Sequence, residues 1–180
     1  MIRRFGTPPD GARRYKRRPG AYVALLRGDD ILVTRQYLPE TMDAPEIQLP
    51  GGGIDPGESP IPALHREVYE ETGWHMTPPR RLGAFRRFTY MPEYGFWAEK
   101  LCTIYVARPT VRLGPPIEAG HEAIWMPKSV ALSVLFNEGD AHFLSQLKAW
   151  LRARDLSIFG KMKRRQITNC ASVSSCVMSV

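Results

Sequence analysis

One segment of 23 residues, Gly52–Trp74, constrains this chain more than any other part of its 180 residues. It begins with a glycine-rich stretch and continues into a run that is predicted to be a helix from Ser59 to Gly73. Ser59 can cap this helix, the proline after it suits the first helical position, and Gly73 suits the position just past the end. The segment therefore predicts a flexible loop directly before a helix with defined ends.

The predicted helix presents three glutamates on one side. At about 100° per residue, Glu67, Glu70 and Glu71 share one face. The adjoining stripe is expected to face the core and contains Ile61, Leu64, Val68 and Thr72. Carboxylates this close repel one another by roughly a few tenths of a kcal/mol per pair in water. A divalent cation would relieve the repulsion, and oxygen ligands favour Mg2+ or Mn2+ over Zn2+.

The loop before the helix offers further ligands. Its glycines allow the backbone to approach an ion closely, so the carbonyl of Gly51 or Gly52 is a candidate ligand beside the carboxylates. Glu58, one residue before the cap, is a candidate for orienting the loop or a water near the ion. The simpler alternative is a solvated acidic helix face after a glycine loop, and for an isolated Glu-x-x-Glu-Glu this alternative would be preferred.

The spacing of the whole segment reverses that preference. Gly52 is followed after five residues by Glu58, and after seven more by the run Arg66–Trp74, which reads Arg-Glu-Val-Tyr-Glu-Glu-Thr-Gly-Trp. This resembles the signature of the Nudix family, G-x5-E-x7-R-E-U-x-E-E-x-G-U with U a bulky apolar residue, at every constrained position. The chain is therefore identified as a member of the Nudix, or MutT-like, family over roughly residues 18–152.

This resemblance implies a fold and a reaction. The fold would be an α/β/α sandwich with a mixed β-sheet. The reaction would be Mg2+-dependent hydrolysis of the pyrophosphate linkage in a nucleoside diphosphate joined to another group X, with Mn2+ able to substitute. The expected substrate is a small nucleotide or a nucleotide sugar.

The resemblance also implies roles for residues of the segment. Glu67 and Glu71 would be the principal metal ligands, with the Gly51 carbonyl beside them. Glu70 would bind a further metal or pair with Arg66, which would also orient the glutamates. Three further residues are expected to shape and orient the loop and the helix end: Gly52, Glu58 and Gly73.

The general base is less constrained. In several relatives it is a glutamate outside the signature, in the loop before a late strand. Glu118 and Glu122 precede the strand predicted around Trp125, and Glu118 is preferred over Glu122. Glu93 and Glu99 are more remote alternatives. Taken alone, each of these glutamates is more readily explained as an ordinary surface acid.

Features outside the signature leave the substrate open. Arg86 and Arg87 point to opposite faces of a strand, so one of them could meet a phosphate, although a solvated arginine is the simpler interpretation. Relatives that cleave ADP-ribose carry a proline after the signature, and Pro92 lies slightly further along than expected. Four aromatic residues crowd one turn and are candidates for stacking on a nucleobase, although packing explains them equally well: Tyr90, Tyr94, Phe96 and Trp97.

The net charge of +7 is concentrated at the two ends of the chain. Residues 1–18 contain seven Arg and Lys against one acid, and residues 151–180 contain six against one. Residues 19–150 hold 12 basic and 16 acidic residues. We therefore expect a basic N-terminal arm (1–18), one Nudix hydrolase domain (19–154) and a basic C-terminal tail (155–180). Solvated tails explain this charge more simply than nucleic-acid binding, although basic arms can contact phosphates.

Hydrophobic patterns predict strands on both sides of the central helix and two further helices near the end. The strands are predicted at 21–26, 31–34, 46–49, 81–90, 96–107 and 123–126, and the helices at 130–136 and 141–151. This order favours a mixed sheet packed between helical layers.

Cysteine content and hydropathy bear on the compartment. No stretch approaches the roughly 20 apolar residues that span a bilayer, and the N-terminus lacks the apolar region of a signal peptide. The cysteines, Cys102, Cys170 and Cys176, lack metal-ligand spacing and favour a reduced, cytoplasmic setting. Many relatives form dimers, so by analogy a homodimer is an open alternative.

Three functions compete at this point. The first is a Mg2+-dependent pyrophosphohydrolase of a small nucleotide, without a membrane or a nucleic-acid partner. The second is a regulatory module that senses a nucleotide without turnover, but the intact Arg66 and the three glutamates of the helix argue against a retired site. The third is hydrolysis of RNA 5′ ends, with the basic arm on the phosphate backbone.

Overall fold

The computed structural model describes residues 2–37 and 44–153. The chain divides into a compact unit, Met1–Leu147, and a second unit, Lys148–Val180. The expected basic tail, with Cys170 and Cys176, lies outside the described residues. Among the described residues, no helix is both long and apolar enough to cross a membrane.

Strands supply most of the described secondary structure. They are β1 (Arg3–Arg4), β2 (Lys16–Arg27), β3 (Asp30–Gln36), β4 (Glu46–Gln48), β5 (Gly51–Gly53), β6 (Trp74–Met76), β7 (Arg80–Met91), β8 (Phe96–Ala107), β9 (Pro109–Arg112) and β10 (His121–Pro127). The helices are α1 (Pro60–Thr72), α2 (Lys128–Val134) and α3 (Glu138–Ala153), and a short 3-10 helix spans Pro92–Tyr94.

The main sheet is mixed. Its strand order is β1-β7-β8-β2-β3-β10, with β4 beside β3 and β5 beside β2. Strands β2 and β8 run parallel from Lys16 to Leu25, whereas β7 and β8 are antiparallel. Strands β2 and β3, which match the strands predicted at 21–26 and 31–34, form a hairpin in which Gly28 takes a left-handed conformation with φ 62°. A separate two-stranded sheet joins β6 to β9.

Helices cover both faces of the sheet. Leu64 and Val68 of α1 pack against alternate residues of β2, because successive strand side chains point to opposite faces. On the other face, Phe143 of α3 stacks on the buried Phe85 of β7, with 6.2 Å between ring centroids. This arrangement confirms the expected α/β/α sandwich with a mixed sheet. Ile61 departs from the predicted core stripe, because its side chain is 37% exposed near the start of α1.

Helix α1 begins and ends where predicted, but its N-terminus is capped differently. The Ser59 side chain makes no capping hydrogen bond, and the Ser59 carbonyl accepts the first helical bond from Ala63 N–H at 3.1 Å. Pro60 occupies the first turn, where a missing N–H costs nothing. At the other end Gly73 is left-handed with φ 71°, and its N–H donates to the Tyr69 carbonyl at 2.8 Å.

The N-terminal residues lie along the sheet. Strand β1 pairs in parallel with β7, with Arg3 opposite Phe85. Phe5 meets Phe85 edge to face, with ring centroids 5.6 Å apart. Strand β2 already begins at Lys16, so the last residues of the expected basic arm are part of the sheet. Two residues of β1 carry too little pattern to be predicted from the sequence.

Candidate functional site

The glycine loop forms strand β5 and is anchored to β2 on both sides. Val23 N–H donates to the Pro50 carbonyl at 2.9 Å, and Ile54 N–H donates to the Pro19 carbonyl at 3.0 Å. Gly51 has φ 133°, and a Cβ there would collide with the backbone of Ala21. The loop is therefore held against the central strand of the sheet, with no room for a side chain at its first glycine.

Gly52 makes room for a carboxylate of α1. A Cβ at Gly52 would collide with the carboxylate of Glu67, which therefore lies directly against the loop. The Glu67 side chain is 14% exposed. Burial raises the pKa of Glu67 to about 7, against the opposing effect of its hydrogen bond from Arg66. Near neutral pH, this carboxylate is held in an environment that disfavours its negative charge.

Glu71 is the most enclosed carboxylate of the helix, with only 7% exposure. Its Oε2 accepts a hydrogen bond from Gly51 N–H at 2.9 Å, and its Oε1 lies 3.3 Å from Nε2 of His121. Burial raises the pKa of Glu71, and the contacts with His121 and Gly51 oppose that rise. Loop, helix and late strand therefore all converge on this one carboxylate.

Arg66 ties the acidic groups together. Its guanidinium donates to Glu58 at 2.9 Å, to Glu67 at 2.8 Å and to Glu70 at 3.1 Å. It also donates to the Gly53 carbonyl at 3.3 Å, which links the helix to the loop. The hydrogen bond from Arg66 lowers the pKa of Glu58. The guanidinium of Arg66 thus positions three carboxylates and strand β5 of the loop.

The segment between β9 and β10 completes the site. Ile117 N–H and Glu118 N–H donate to the Glu70 carbonyl at 2.8 Å and 3.1 Å, and Leu113 N–H donates to the Gly73 carbonyl at 3.0 Å. These bonds satisfy carbonyls at the end of α1 that have no partner within the helix. They also bring Glu118, whose side chain is 44% exposed, next to the glutamates of α1.

Glu118 contributes to both groups of side chains whose geometry suits a metal ion. Within each group the candidate ligand atoms lie within 4.8 Å of one another. The groups are Glu67, Glu70 and Glu118, and Glu71, Glu118 and His121. The first group offers only carboxylate oxygens, and such a set suits a hard divalent cation. Burial raises the pKa of Glu67 and of Glu71, and a bound cation would favour the charged forms of both carboxylates.

The other candidate bases lie elsewhere. Glu122 follows His121 on β10 and therefore points to the other face, where it accepts a hydrogen bond from Arg35 at 2.9 Å. Glu99 pairs with Arg86 at 3.2 Å. Of the glutamates outside the helix and its loop with described side chains, Glu118 is the one that belongs to a metal-compatible group. The side chain of Glu93 lies outside the described residues.

Three of the four aromatic residues of the turn lie under basic side chains. Tyr90 and Trp97 are neighbours with ring centroids 5.4 Å apart, and Tyr94 and Phe96 are 5.8 Å apart. Three cations cover three of these rings: Arg13 over Trp97 at 3.8 Å, Lys16 over Phe96 at 4.5 Å and Arg18 over Tyr94 at 5.0 Å. Contacts between the rings therefore explain part of this aromatic cluster. The rings also position a row of three cations, Arg13, Lys16 and Arg18.

Two residues of this region were not predicted from the sequence. The side chain of His121 is only 2% exposed and lies between Glu71 and Glu118. Burial alone would lower the pKa of His121, but its contacts with Glu71 outweigh that effect and raise it. Arg18 lies against Gly53 of the loop. Neither belongs to the signature; a histidine three residues after the preferred base was the one available signal.

Comparison with known proteins points to one family. A family model described as the NUDIX domain matches residues 16–147. A stretch of 75 residues is 36% identical to the putative 8-oxo-dGTP diphosphatase of Bacillus subtilis, and this match covers 41% of this chain and 47% of that protein. A stretch of 59 residues is 39% identical to the RNA pyrophosphohydrolase of Helicobacter pylori, covering 32% of this chain and 38% of that protein. The matches thus span less than two thirds of these relatives' own length.

A solved structure supports the same conclusion at the level of the fold. The NUDIX hydrolase from Nitrosomonas europaea superimposes with a TM-score of 0.62 and 20% sequence identity. The match covers 75% of this chain and 90% of that chain. The mixed sheet and its covering helices are therefore common to both proteins.

Proposed function

Because the chain belongs to the Nudix family, we propose that it cleaves the pyrophosphate linkage of a small nucleotide, in which a nucleoside diphosphate is joined to a further group. The cofactor in this proposal is Mg2+, with Mn2+ as a substitute. The observation that carries the proposal is the meeting of Glu118 with the glutamates of α1, in two groups of metal-compatible side chains. The names of the two relatives refer to 8-oxo-dGTP, a nucleoside triphosphate, and to RNA, a polymer of nucleoside phosphates.

We propose that Glu67 and Glu71 would hold the principal cation together with the Gly51 carbonyl, and that Glu70 would hold a further cation or stay paired with Arg66. When bound, the cation lowers the pKa of water and neutralises charge that develops on the phosphoryl oxygens. Arg66 keeps Glu58, Glu67 and Glu70 in place through hydrogen bonds of 2.9, 2.8 and 3.1 Å.

Glu118 is the proposed general base. Its carboxylate is 44% exposed at the mouth of the site, so a water molecule can reach it, and it lies within 4.8 Å of both groups of ligand atoms. It would accept the proton of the attacking water while the other carboxylates stay engaged. His121 would keep Glu71 oriented through the 3.3 Å contact with its Oε1.

A panel of substrates tests the proposed function. The panel contains nucleoside triphosphates, ADP-ribose, dinucleoside polyphosphates and 5′-triphosphate RNA, each with Mg2+ and with Mn2+. We expect turnover of at least one compound that stops when the metal is chelated. Binding of a nucleotide with no turnover of any compound would instead identify a regulatory module.

Glu71→Gln is the matched variant for the metal site. The amide oxygen can still accept the hydrogen bond from Gly51 N–H, so the fold should persist. We expect turnover of the best substrate to fall by about 100-fold or more, because a ligand charge is removed. The rise in melting temperature that Mg2+ or Mn2+ causes in the wild type should shrink in parallel, since an ion that binds only the folded state stabilises it. Full activity of this variant would refute the metal assignment.

Hydrolysis of RNA 5′ ends is the second candidate, favoured by the row of cations at Arg13, Lys16 and Arg18. A polynucleotide held by this row should bind with a steep salt dependence that a mononucleotide does not share. Turnover of 5′-triphosphate RNA at several salt concentrations, by the wild type and by the double variant Arg13→Gln with Lys16→Gln, distinguishes the two candidates. The cytoplasmic location and a homodimer stay predictions.

A further inference from the structure

The three consecutive glycines of the loop lack side chains for three different reasons. Gly51 faces the backbone of β2, and Gly52 faces the carboxylate of Glu67. Gly53 faces the guanidinium of Arg18, since a Cβ at Gly53 would lie 2.9 Å from Nη2 and 3.2 Å from Cζ. Gly53 has no left-handed φ of the kind that makes Gly51 dependent on glycine. The guanidinium of Arg18 therefore occupies the space that a side chain at residue 53 would take.

Arg18 is held in this place by an aromatic residue. Its Nη2 donates to the Tyr94 hydroxyl at 3.2 Å, and its Cζ lies 5.0 Å from the centre of the same ring. Among the side chains that the structure describes, no carboxylate forms an ion pair with Arg18. A guanidinium has five N–H donors, so most of them have no described partner. Its positive charge is thus positioned by a neutral group.

The loop separates this charge from the acidic cluster. On one side Gly52 lies against Glu67, and on the other Gly53 lies against Arg18. The two glycines are neighbours in a strand, and so their open positions point to opposite faces. Arg18 therefore lies across the loop from the carboxylates, and a substrate bound at the carboxylates would have to extend over the loop to bring a further phosphate group to Arg18.

We propose that Arg18 binds a phosphate group of the substrate that the metal site does not hold, and that Gly53 is bare so that this guanidinium can lie against the loop. A planar guanidinium can donate two parallel hydrogen bonds to a phosphate, which fixes both position and orientation. The ligand is the phosphoryl part of a nucleoside diphosphate. This inference rests on the proposed function, because it assumes that a phosphate anhydride occupies the carboxylate site.

The strand itself provides a matched control. Arg17 precedes Arg18 on β2 and points to the other face, where its side chain is 91% exposed and lies 3.9 Å from Glu99. Arg17→Gln and Arg18→Gln remove the same charge from the same strand, one residue apart. Any general effect of net charge should appear equally in both variants.

Two measurements test the inference. Steady-state kinetics on the best substrate of the panel gives KM and kcat, and equilibrium binding of α,β-methylene-ADP in the presence of EDTA gives Kd without turnover. For Arg18→Gln we expect Kd and KM to rise by about 10-fold or more, as for a lost hydrogen bond to a charged group, with a smaller change in kcat. Arg18→Lys should recover part of the loss, and Arg17→Gln should stay within about twofold of the wild type.

Gly53→Ala provides an independent test. It leaves Arg18 in the sequence but puts a methyl group where the guanidinium of Arg18 now lies. The atoms in the way are the far end of a flexible side chain, so we expect little change in melting temperature. Kd and KM should rise as in Arg18→Gln, and the double variant should be no worse than either single variant. Additive effects of the two substitutions would overturn the proposed link between them.

The outcomes separate this inference from the proposed function. A wild type that turns over no anhydride refutes the proposed function, while the binding measurement still tests Arg18. Turnover by the wild type with unchanged Kd and KM in Arg18→Gln refutes the role of Arg18 alone. An equal loss in Arg17→Gln would also refute it, because net charge would then explain the effect.

Discussion

Glu118 and Glu122 have the same side chain and lie four residues apart, yet the structure gives them different surroundings. Glu118 lies in the segment that docks on the end of α1, next to Glu67 and Glu70. Glu122 lies on β10 and pairs with Arg35 at 2.9 Å. The difference comes from the strand, which begins between them at His121 and imposes its alternation on the residues that follow.

The two glutamine variants test the choice of general base. We expect Glu118→Gln to lower kcat by about 100- to 10,000-fold, the range typical of a lost general base. Glu122→Gln removes an exposed ion pair and should change kcat by less than about twofold. The measurement is the rate on the best substrate at saturating metal. A larger loss in Glu122→Gln than in Glu118→Gln would reverse the assignment.

The contact of His121 with Glu71 is not encoded in the local sequence. The signature identifies the glutamates of α1, because their spacing on a helix is a local property. The approach of His121 to Glu71, at 3.3 Å, joins residues 50 positions apart and depends on how β10 is placed beside β3. Apart from its position three residues after Glu118, nothing in the sequence around His121 carries that information.

At the scale of elements, the end of α1 is the junction that orders the site. Gly73 ends the helix in a left-handed conformation, and its carbonyl accepts Leu113 N–H at 3.0 Å. The Glu70 carbonyl accepts the two N–H groups that position Glu118. The helix therefore holds Glu118, the proposed general base, through backbone groups that the helix itself cannot satisfy.

Gly73→Ala tests this junction, with Gly95→Ala as its control. Both glycines are left-handed, with φ 71° and 65°, but a Cβ at Gly73 collides with the Gly114 carbonyl whereas one at Gly95 meets open space. We expect Gly95→Ala to cost about 1 kcal/mol of unfolding free energy from backbone strain alone.

Gly73→Ala should cost more than this, above about 2 kcal/mol, because the segment 113–118 must move. It should also lower kcat, since that segment carries Glu118. Urea unfolding and steady-state kinetics measure the two effects. Equal losses in the two variants would mean that the contact with Gly114 contributes nothing.

Most long elements were predictable, whereas of the short strands only β4 (Glu46–Gln48) matches a predicted strand, the one at 46–49. The predicted strands 81–90 and 96–107 correspond to β7 (Arg80–Met91) and β8 (Phe96–Ala107), and the central helix is reproduced within a residue at each end. Strands β5, β6 and β9 contain three or four residues each. Such lengths are too short for an alternating pattern, and pairing with a neighbour decides their conformation.

At the scale of the whole molecule, basic residues that the charge distribution along the sequence placed in an N-terminal arm contact the domain. Arg13, Lys16 and Arg18 of the expected arm lie over aromatic rings of the domain, and β1 adds to the sheet. The basic residues at the N-terminus therefore form part of one surface with the domain. The described part of the C-terminus ends with α3, so the other basic segment stays a prediction.

The stability of the whole fold should depend on pH through Asp140. This residue of α3 is 2% exposed and accepts a hydrogen bond from the backbone of Leu49, which joins the helix to the sheet. Burial raises the pKa of Asp140 from 3.8 to about 7, although Arg87 and Lys100 oppose the rise. Between these values the folded protein keeps a proton that the unfolded chain has released, so stability contributed by Asp140 is lost as pH rises.

Asp140→Asn isolates this effect, because the amide keeps an acceptor for Leu49 and carries no charge. As the pH rises from 5 to 8, the wild type should lose about 2–3 kcal/mol of unfolding free energy through Asp140, and the variant should not. For a domain of this size that corresponds to roughly 4–12 °C in melting temperature. Thermal unfolding at the two pH values measures it. A difference that stays constant, or that moves against the variant at pH 8, would contradict the raised pKa of Asp140.

The sequence by itself determined the family, the helix with its three glutamates, and the mixed sheet between helices. These follow from local spacing, since a helix places residues three and four apart on one face and a strand alternates its sides. Only the tertiary structure decided that Glu118 and His121 join the glutamates, and that Arg18 lies against Gly53. Those contacts depend on strand pairing and on the docking of segments far apart in the chain, and such long-range contacts leave no fixed spacing in a single sequence.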